Sequence, residues 1–258
     1  DRLQDPLDLL RRSATDEHLR VCLEAIVAAS DVHEPESMAI AAKAADGAAD
    51  RFITFAFKQS VHALANEWKP ALLAGQLKFA KPAHLLSVVR EGGGNEVAGV
   101  VRQQLAEPNL TAARKQVLAE LLAHIGNTAD AELALKLGAA NPVVLRALVN
   151  AALERSLKPP VTAALLLGPQ IKSGSARLET IRLIGAWKLD THVAAIRDIA
   201  AELTETIALR VAAAEALGQL SGPQVAETLA KLTALSEPND LRAASLGSLA
   251  RHDVVRAA

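Results

Sequence analysis

The stretch RVAAAEALGQL at residues 210–220 decides the fold, because variants of it return along the chain at a nearly constant interval. Each copy carries an arginine just before a run rich in alanine and leucine. Successive arginines are 31–33 residues apart, apart from one interval of 63 residues that predicts a further copy near Lys81. A period of roughly 20–50 residues is typical of solenoids built from repeated units. The aligned arginines are Arg20, Arg51, Arg114, Arg146, Arg177, Arg210 and Arg242.

The composition favours helices throughout the 258 residues. Alanine makes up about a fifth of the chain, tyrosine is absent, and only four Phe and two Trp occur. Strands prefer β-branched and aromatic residues, whereas Ala and Leu rank high in helix propensity. The sequence therefore predicts an all-α protein.

Each repeat is predicted to hold two helices, with the arginine near the start of the second. Capping residues precede several second helices, and Gly126, Gly218 and Gly247 are expected to end second helices in the left-handed conformation. First helices are predicted at 129–137, 161–167, 192–201 and 223–235. The expected caps are Asp16, Asn141, Ser173, Thr206 and the Glu237-Pro238 pair.

Phrases such as LRVAAAEALGQL (209–220) and LRAASLGSLARHD (241–253) resemble those of HEAT-repeat proteins in their short form. The resemblance implies an α-α superhelix, a HEAT-like solenoid of about seven to eight helical pairs. It covers nearly the whole chain, so we expect residues 1–258 to form a single repeat domain. A start at Asp1 without an initiator Met leads us to expect a fragment of a longer protein.

Residues 50–79 depart from the alanine-leucine pattern and hold every phenylalanine of the chain together with Trp68. We expect Phe52, Phe55 and Phe57 to thicken one layer of the core and Trp68 to close a longer connection with Phe79. The alternative is a docking surface for a neighbouring module.

The helix start Asp-Arg-Phe at 50–52 and the connection WKPALLAGQLKF at 68–79 resemble the HEAT region of large exported haem-binding proteins of planctomycetes. In that family a sugar-dehydrogenase-like propeller precedes the helical array and a c-type cytochrome domain follows it. The resemblance implies a spacer between redox modules, in the periplasm, with the cytoplasm as the alternative. Cys22 is followed by Leu23 and Glu24 rather than by a haem-attachment motif, so we expect no cofactor here.

Chemistry-bearing motifs are sparse. The seven histidines are dispersed, and neither a zinc-protease helix nor a serine-nucleophile elbow occurs. EGGGN (91–95) and KSGSA (172–176) are interpreted as turns. We predict no catalytic, cofactor-binding or metal-binding residue, and name Arg51, Trp68, Trp187 and His192 as candidates for an interaction surface.

The repeated arginines allow two interpretations. A row of guanidinium groups could bind an acidic partner, or each could tie one repeat to the next through carbonyls and acids of the adjacent turn. We favour the structural interpretation.

Two functions compete on this scaffold. The first is a non-enzymatic spacer or protein-interaction module whose partners are flanking domains or a separate protein. The second is a HEAT-like enzyme or nucleic-acid-binding protein of the alkylpurine DNA glycosylase type, with the phycobilin lyases as a further generic possibility. A formal charge of −1 and the scarcity of aromatic residues disfavour DNA repair. We expect no nucleic acid, no membrane insertion and no small-molecule substrate.

Overall fold

The computed structural model describes residues 5–46, 50–222 and 224–252. Within these ranges the regular structure consists of sixteen α-helices and one short 3₁₀ turn at Asp190–His192, with no strand. The prediction of an all-α protein is confirmed.

The helices alternate along the described chain as first and second members of eight pairs. The second helices begin 30–35 residues apart. The copy predicted near Lys81 is present, since α6 begins at Pro82 directly after Lys81. The first helices are α1 Pro6–Ser13, α3 Pro35–Ala44, α5 Ala65–Leu73, α7 Asn95–Leu105, α9 Thr128–Gly138, α11 Ala163–Lys172, α13 Val193–Ala201 and α15 Val225–Lys231. The second helices are α2 Leu19–Asp31, α4 Arg51–Ala63, α6 Pro82–Gly92, α8 Ala112–Ile125, α10 Pro142–Glu154, α12 Arg177–Ala186, α14 Ile207–Leu217 and α16 Asn239–His252.

The four first helices predicted from the sequence correspond to α9, α11, α13 and α15, although α11 continues to Lys172, beyond the predicted end at Leu167, and the ends of α15 also differ. Helix α15 is shorter than predicted and ends at Lys231, while the predicted start at Pro223 lies outside the described residues. The turn predicted at 172–176 is confirmed, because residues 173–176 separate α11 from α12. The turn predicted at 91–95 is shorter than expected, because Glu91, Gly92 and Asn95 lie in helices and only residues 93–94 separate α6 from α7.

The chain divides into two compact units, residues 1–121 and 122–258, at a boundary inside α8. In the first unit the second helices α2, α4 and α6 pack side by side in chain order, and so do the first helices α1, α3, α5 and α7. The single repeat domain and the superhelix stay predictions.

The second unit follows the same packing order within itself. Helices α10, α12, α14 and α16 form one layer of neighbours, while α9, α11, α13 and α15 lie behind them. The layer of second helices is the more closely packed, because small residues lie where these helices meet. At Gly185 in α12 an added Cβ would lie 2.8 Å from the Cα atom of Ala216 in α14.

Short polar side chains start several helices as predicted. Asn141 accepts a hydrogen bond from the amide of Val143, and Thr206 accepts one from the amide of Leu209. Asp16 accepts a hydrogen bond from the amide of His18, the residue before α2, and no side chain caps α2 or α12, so the caps expected at Asp16 and Ser173 are wrong.

The glycines play a different role from the one predicted. Gly218 has φ −63°, which is right-handed, and Gly247 lies inside α16 rather than at its end. Among the described glycines, only Gly75 and Gly174 have positive φ. Close packing requires a small residue at Gly218, because an added Cβ would lie 2.7 Å from the Cβ atom of Ser248. The expectation of left-handed helix ends is therefore wrong.

Candidate functional site

The aromatic side chains of residues 50–79, in the first unit, divide between the core and the surface. Phe57 and Trp68 are buried, as the core interpretation predicts. Phe52 and Phe55, three residues apart on α4, are 56% and 64% exposed, so the prediction that they thicken the core is wrong. Their positions put them on the solvent face of the helix, while Phe57 is on the opposite face.

Both tryptophans are held inside the protein. Trp68 is fully buried in the first unit, and its Nε1–H donates to the carbonyl oxygen of Val61 at 2.9 Å. Trp187 is 5% exposed in the second unit, and its Nε1–H donates to the carbonyl oxygen of Leu157 at 2.9 Å. The sequence predicts both tryptophans as candidates for an interaction surface, but both indoles are buried.

The other two candidates lie nearer to solvent. Arg51 is exposed at the start of α4, and its guanidinium lies 4.7 Å from the centre of the Phe52 ring. His192 lies in the turn before α13, with Nε2 3.0 Å from the carbonyl oxygen of Ala164. Arg51 and Trp68 belong to the first unit, and Trp187 and His192 belong to the second.

Two of the repeated arginines tie neighbouring pairs together. Arg177 donates from Nε to the carbonyl oxygen of Ile171 and from both terminal nitrogens to the carboxylate of Glu205, at 3.0 and 2.5 Å. Arg210 repeats the pattern, with Nε on the carbonyl of Ala200 and Nη2 on Glu237. Each guanidinium thus joins the end of the first helix in its own pair to the turn between the two helices of the next pair. The hydrogen bond from Arg177 holds the pKa of Glu205 below its ordinary value.

The arginines do not all share this role. Arg20 is exposed, and Arg146 reaches a glutamate in the next second helix. The structural interpretation is therefore met at Arg177 and Arg210, while Arg146 lies on an open face.

A groove of about 560 Å³ crosses α10, α12, α14 and α16 in the second unit. It gathers charged and apolar side chains from four successive repeats. Four lining positions recur once per repeat, 32–33 residues apart, so the groove follows the sequence period. These positions are Asn150, Arg182, Glu215 and Gly247.

The floor of the groove consists of small residues, which leave room above the helix backbones. Gly247 has no atom within 4 Å of the place where a Cβ would lie, so the space over it is open. Leu153, 66% exposed, adds an apolar side chain at the α10 end. The small residues of the lining include Gly185, Ala186, Ala212, Ala216, Ala244 and Gly247.

A buried carboxylate holds two arginines in this groove. The Glu179 side chain is only 3% exposed, and its Oε1 accepts hydrogen bonds from Nε and Nη2 of Arg146 at 3.0 and 2.8 Å. Nη1 of Arg182 donates to the same oxygen at 3.3 Å. The two arginine side chains remain 63% and 44% exposed, so the carboxylate fixes guanidinium groups that still face solvent.

A smaller cavity of about 150 Å³ lies in the first unit beside His84. The His84 side chain is 3% exposed, with Nε2 3.3 Å from Oδ2 of Asp46. Hydrogen bonding from Lys81, and secondly from His84, lowers the pKa of the Asp46 carboxyl. The cavity is otherwise lined mainly by apolar side chains, including Ile53 and Phe57.

Over the described residues, no cluster of three or more His, Cys, Asp or Glu side chains could hold a metal ion. In the same ranges no helix has the length and apolar character needed to cross a membrane. Cys22 is a buried free thiol whose Sγ contacts the carbonyl oxygen of Asp16 at 3.4 Å, as expected for a small core residue.

The chain matches no family model and no curated protein.

Proposed function

We propose that this chain is a non-enzymatic scaffold or spacer that binds a polypeptide along the groove formed by α10, α12, α14 and α16. The observation that carries the proposal is the groove itself, which gathers equivalent positions from four consecutive repeats. Stacked helical pairs typically use such continuous surfaces to bind proteins or to hold flanking domains. The floor of small residues and the exposed side chains of Arg146 and Arg182 suit an elongated partner.

The buried indoles support this function over that of a DNA glycosylase. A base-handling enzyme needs aromatic faces to hold a flipped base. Trp68 and Trp187 are both buried with their Nε1–H groups bonded to backbone carbonyls, so neither ring face can stack on a base. The described side chains that line the groove are aliphatic, small or polar.

The context of the chain is part of the same proposal. Its resemblance to the HEAT region of exported haem-binding proteins favours a HEAT-like solenoid that spaces a dehydrogenase-like domain from a cytochrome domain in the periplasm. Exposed Phe52 and Phe55 in α4 offer a second, apolar surface for a flanking domain.

The proposal is tested by selecting display peptides on the whole chain and on Gly247→Phe. The phenylalanine side chain would enter the open space over α16 and fill part of the groove. We expect the peptides to bind the wild-type chain and to lose binding to Gly247→Phe, with helical content unchanged by circular dichroism. Equal binding to both proteins would contradict the proposed function.

Duplex DNA provides the second arm of this experiment. A glycosylase-like protein binds DNA with an affinity that falls steeply with salt, because phosphate contacts release counterions. We expect no salt-dependent anisotropy change with a labelled duplex at low ionic strength. Such a change would favour the nucleic-acid alternative.

A further inference from the structure

Arg146 and Arg182 in the groove carry N–H donors beyond those bonded to Glu179. A guanidinium group carries five N–H donors. Arg146 commits Nε and Nη2 to Glu179, and Arg182 commits Nη1. The contacts described for the two side chains leave Nη1 of Arg146 and both Nε and Nη2 of Arg182 for a ligand.

Glu179 preorganises these N–H donors for binding a ligand. Because the carboxylate is buried and accepts from both arginines through one oxygen, it holds the two guanidinium groups beside each other without filling the groove. Side chains that are already ordered lose less conformational entropy when a ligand binds. An arginine fork binds carboxylate and phosphate groups with two parallel hydrogen bonds.

The charge of the groove agrees with an anionic ligand. Its lining holds three arginines, Arg146, Arg182 and Arg251, against two carboxylates, Glu179 and Glu215. Three arginines against two carboxylates give the lining a net charge of +1. A negatively charged group next to Arg182 would meet a net positive surface.

The length of the groove suits an extended polypeptide. Four neighbouring helices at the usual spacing of 8–10 Å give a groove roughly 24–30 Å long. An extended segment advances about 3.3 Å per residue, so about eight residues would follow the groove from α10 to α16. The open space over Gly247 provides room for an apolar side chain further along the same segment.

We propose that Arg146 and Arg182, positioned by Glu179, recognise an aspartate or glutamate side chain of an acidic peptide that lies along this groove. The inference rests on the proposed function and adds the chemistry of the partner. Arg182 and Arg146 are the binding residues, and Glu179 is a positioning residue that acts through them.

The test uses the whole chain as the target of a display library of random peptides about eight residues long, the length that the groove accommodates. The best peptide is synthesised with a fluorescent label, together with a version in which its acidic residue is replaced by the amide. Binding is measured by anisotropy for the wild-type chain, Arg182→Gln and Lys158→Gln. Lys158 is exposed and outside the groove, so it controls for the loss of one positive charge.

We expect the selected peptides to carry Asp or Glu at a fixed position. Replacing that residue by its amide should weaken binding roughly 10- to 100-fold, the value of one or two hydrogen bonds to a charged group. Arg182→Gln should show the same loss and should no longer distinguish the two peptides. Lys158→Gln should bind as the wild type does.

Glu179→Gln separates positioning from simple attraction. The substitution makes the groove more positive by one charge, so attraction alone would tighten binding of the acidic peptide. Loss of the orienting carboxylate predicts weaker binding instead, with less discrimination between the acid and the amide. Tighter binding would overturn the positioning role of Glu179.

The remaining outcomes distinguish this inference from the proposed function. Peptides without an acidic residue that still lose binding to Gly247→Phe would overturn the acidic partner and leave the groove as a peptide site. Equal affinity of the acid and amide peptides would do the same. If no selected peptide depends on Gly247, both the inference and the proposed function fail. Thermal melting of every variant shows that each has folded.

Discussion

The guanidinium of Arg210 in α14 bonds the carboxylate of Glu237, which lies in the turn before α16, with Nη2 3.0 Å from Oε1. The Arg210 side chain is 5% exposed, and its Nε donates to the carbonyl oxygen of Ala200 in the preceding first helix. One side chain thus links α14 to the end of α13 and to the turn between α15 and α16. Arg177 does the same with Glu205 one repeat earlier.

Arg210→Met is expected to lower the free energy of unfolding by about 2–3 kcal/mol, because it leaves a largely buried carboxylate and a carbonyl without their donor. Chemical denaturation followed by circular dichroism measures the change. Arg20→Met is the control, since Arg20 occupies the equivalent repeat position but is exposed, and we expect a change within about 0.5 kcal/mol. An unchanged stability of Arg210→Met together with lost partner binding would favour the binding interpretation of the arginines.

Gly185→Ala should destabilise the second unit by about 1–3 kcal/mol. The new Cβ would lie 2.8 Å from Cα and 2.9 Å from Cβ of Ala216, so α12 and α14 must move apart. Gly247→Ala is the matched change in a helix with open space around it, and it should stabilise by about 0.5–1 kcal/mol through helix propensity. Equal effects of the two substitutions on the melting temperature would contradict the close packing of α12 against α14.

Stability should fall in acid partly through Glu205. Its pKa in the folded protein is lowered from the ordinary value of 4.5, chiefly by the hydrogen bond from Arg177. A lowered folded pKa contributes stability that is fully present above about pH 4.5 and is lost as the pH falls through the folded pKa. Melting temperatures of Glu205→Gln should therefore depend less on pH below about 4.5 than those of the wild type.

The exposed Glu154 provides the control for this pH dependence. Glu154→Gln should keep the acid loss of stability seen in the wild type. If Glu205→Gln also keeps it unchanged, the ion pair with Arg177 does not contribute to the pH dependence.

Each unit contains one buried tryptophan, which makes the two units separately observable. Trp187→Phe leaves Trp68 as the reporter of the first unit, and Trp68→Phe leaves Trp187 as the reporter of the second. Both single-tryptophan proteins should show the blue-shifted emission of a buried indole. Trp68→Phe should lower stability by about 1–3 kcal/mol, because it removes buried volume and the hydrogen bond to Val61. Emission at the wavelength of free tryptophan in the native state would contradict the burial.

The repeat period and its phase could be predicted because they depend on local features. Alanine-rich runs form helices wherever they occur, and the arginine spacing locates α6 even though its repeat begins with Lys81 and Pro82 instead of an arginine. The caps Asn141 and Thr206 follow from side chains that bond amides two or three residues away. Such contacts require no knowledge of the partner helix.

Tertiary contacts decide what the sequence could not show. Gly247 resembles a helix end by its position in the repeat, yet α16 continues to His252 because right-handed glycine is tolerated inside a helix. Phe52 and Phe55 have the composition of a core and lie on the solvent face of α4.

The arginine pattern does not mark the groove as a whole, because Arg146 is the one repeated arginine among the described lining residues. Asn150, Arg182, Glu215 and Gly247 recur with the same period but differ in chemistry, so no shared residue type marks them. The separation of 33 residues between Arg146 and Glu179 is the one available signal, since it is close to the repeat period.

The central claim is that α10, α12, α14 and α16 lie side by side in chain order. Double electron–electron resonance tests it with spin labels on cysteines introduced at Asn150, Glu215 and Gly247, in a chain carrying Cys22→Ser. At 8–10 Å per neighbouring helix, the backbone distance from 150 to 215 should be roughly 16–20 Å and that from 150 to 247 roughly 24–30 Å. A distance from 150 to 247 equal to or shorter than that from 150 to 215 would contradict the claim.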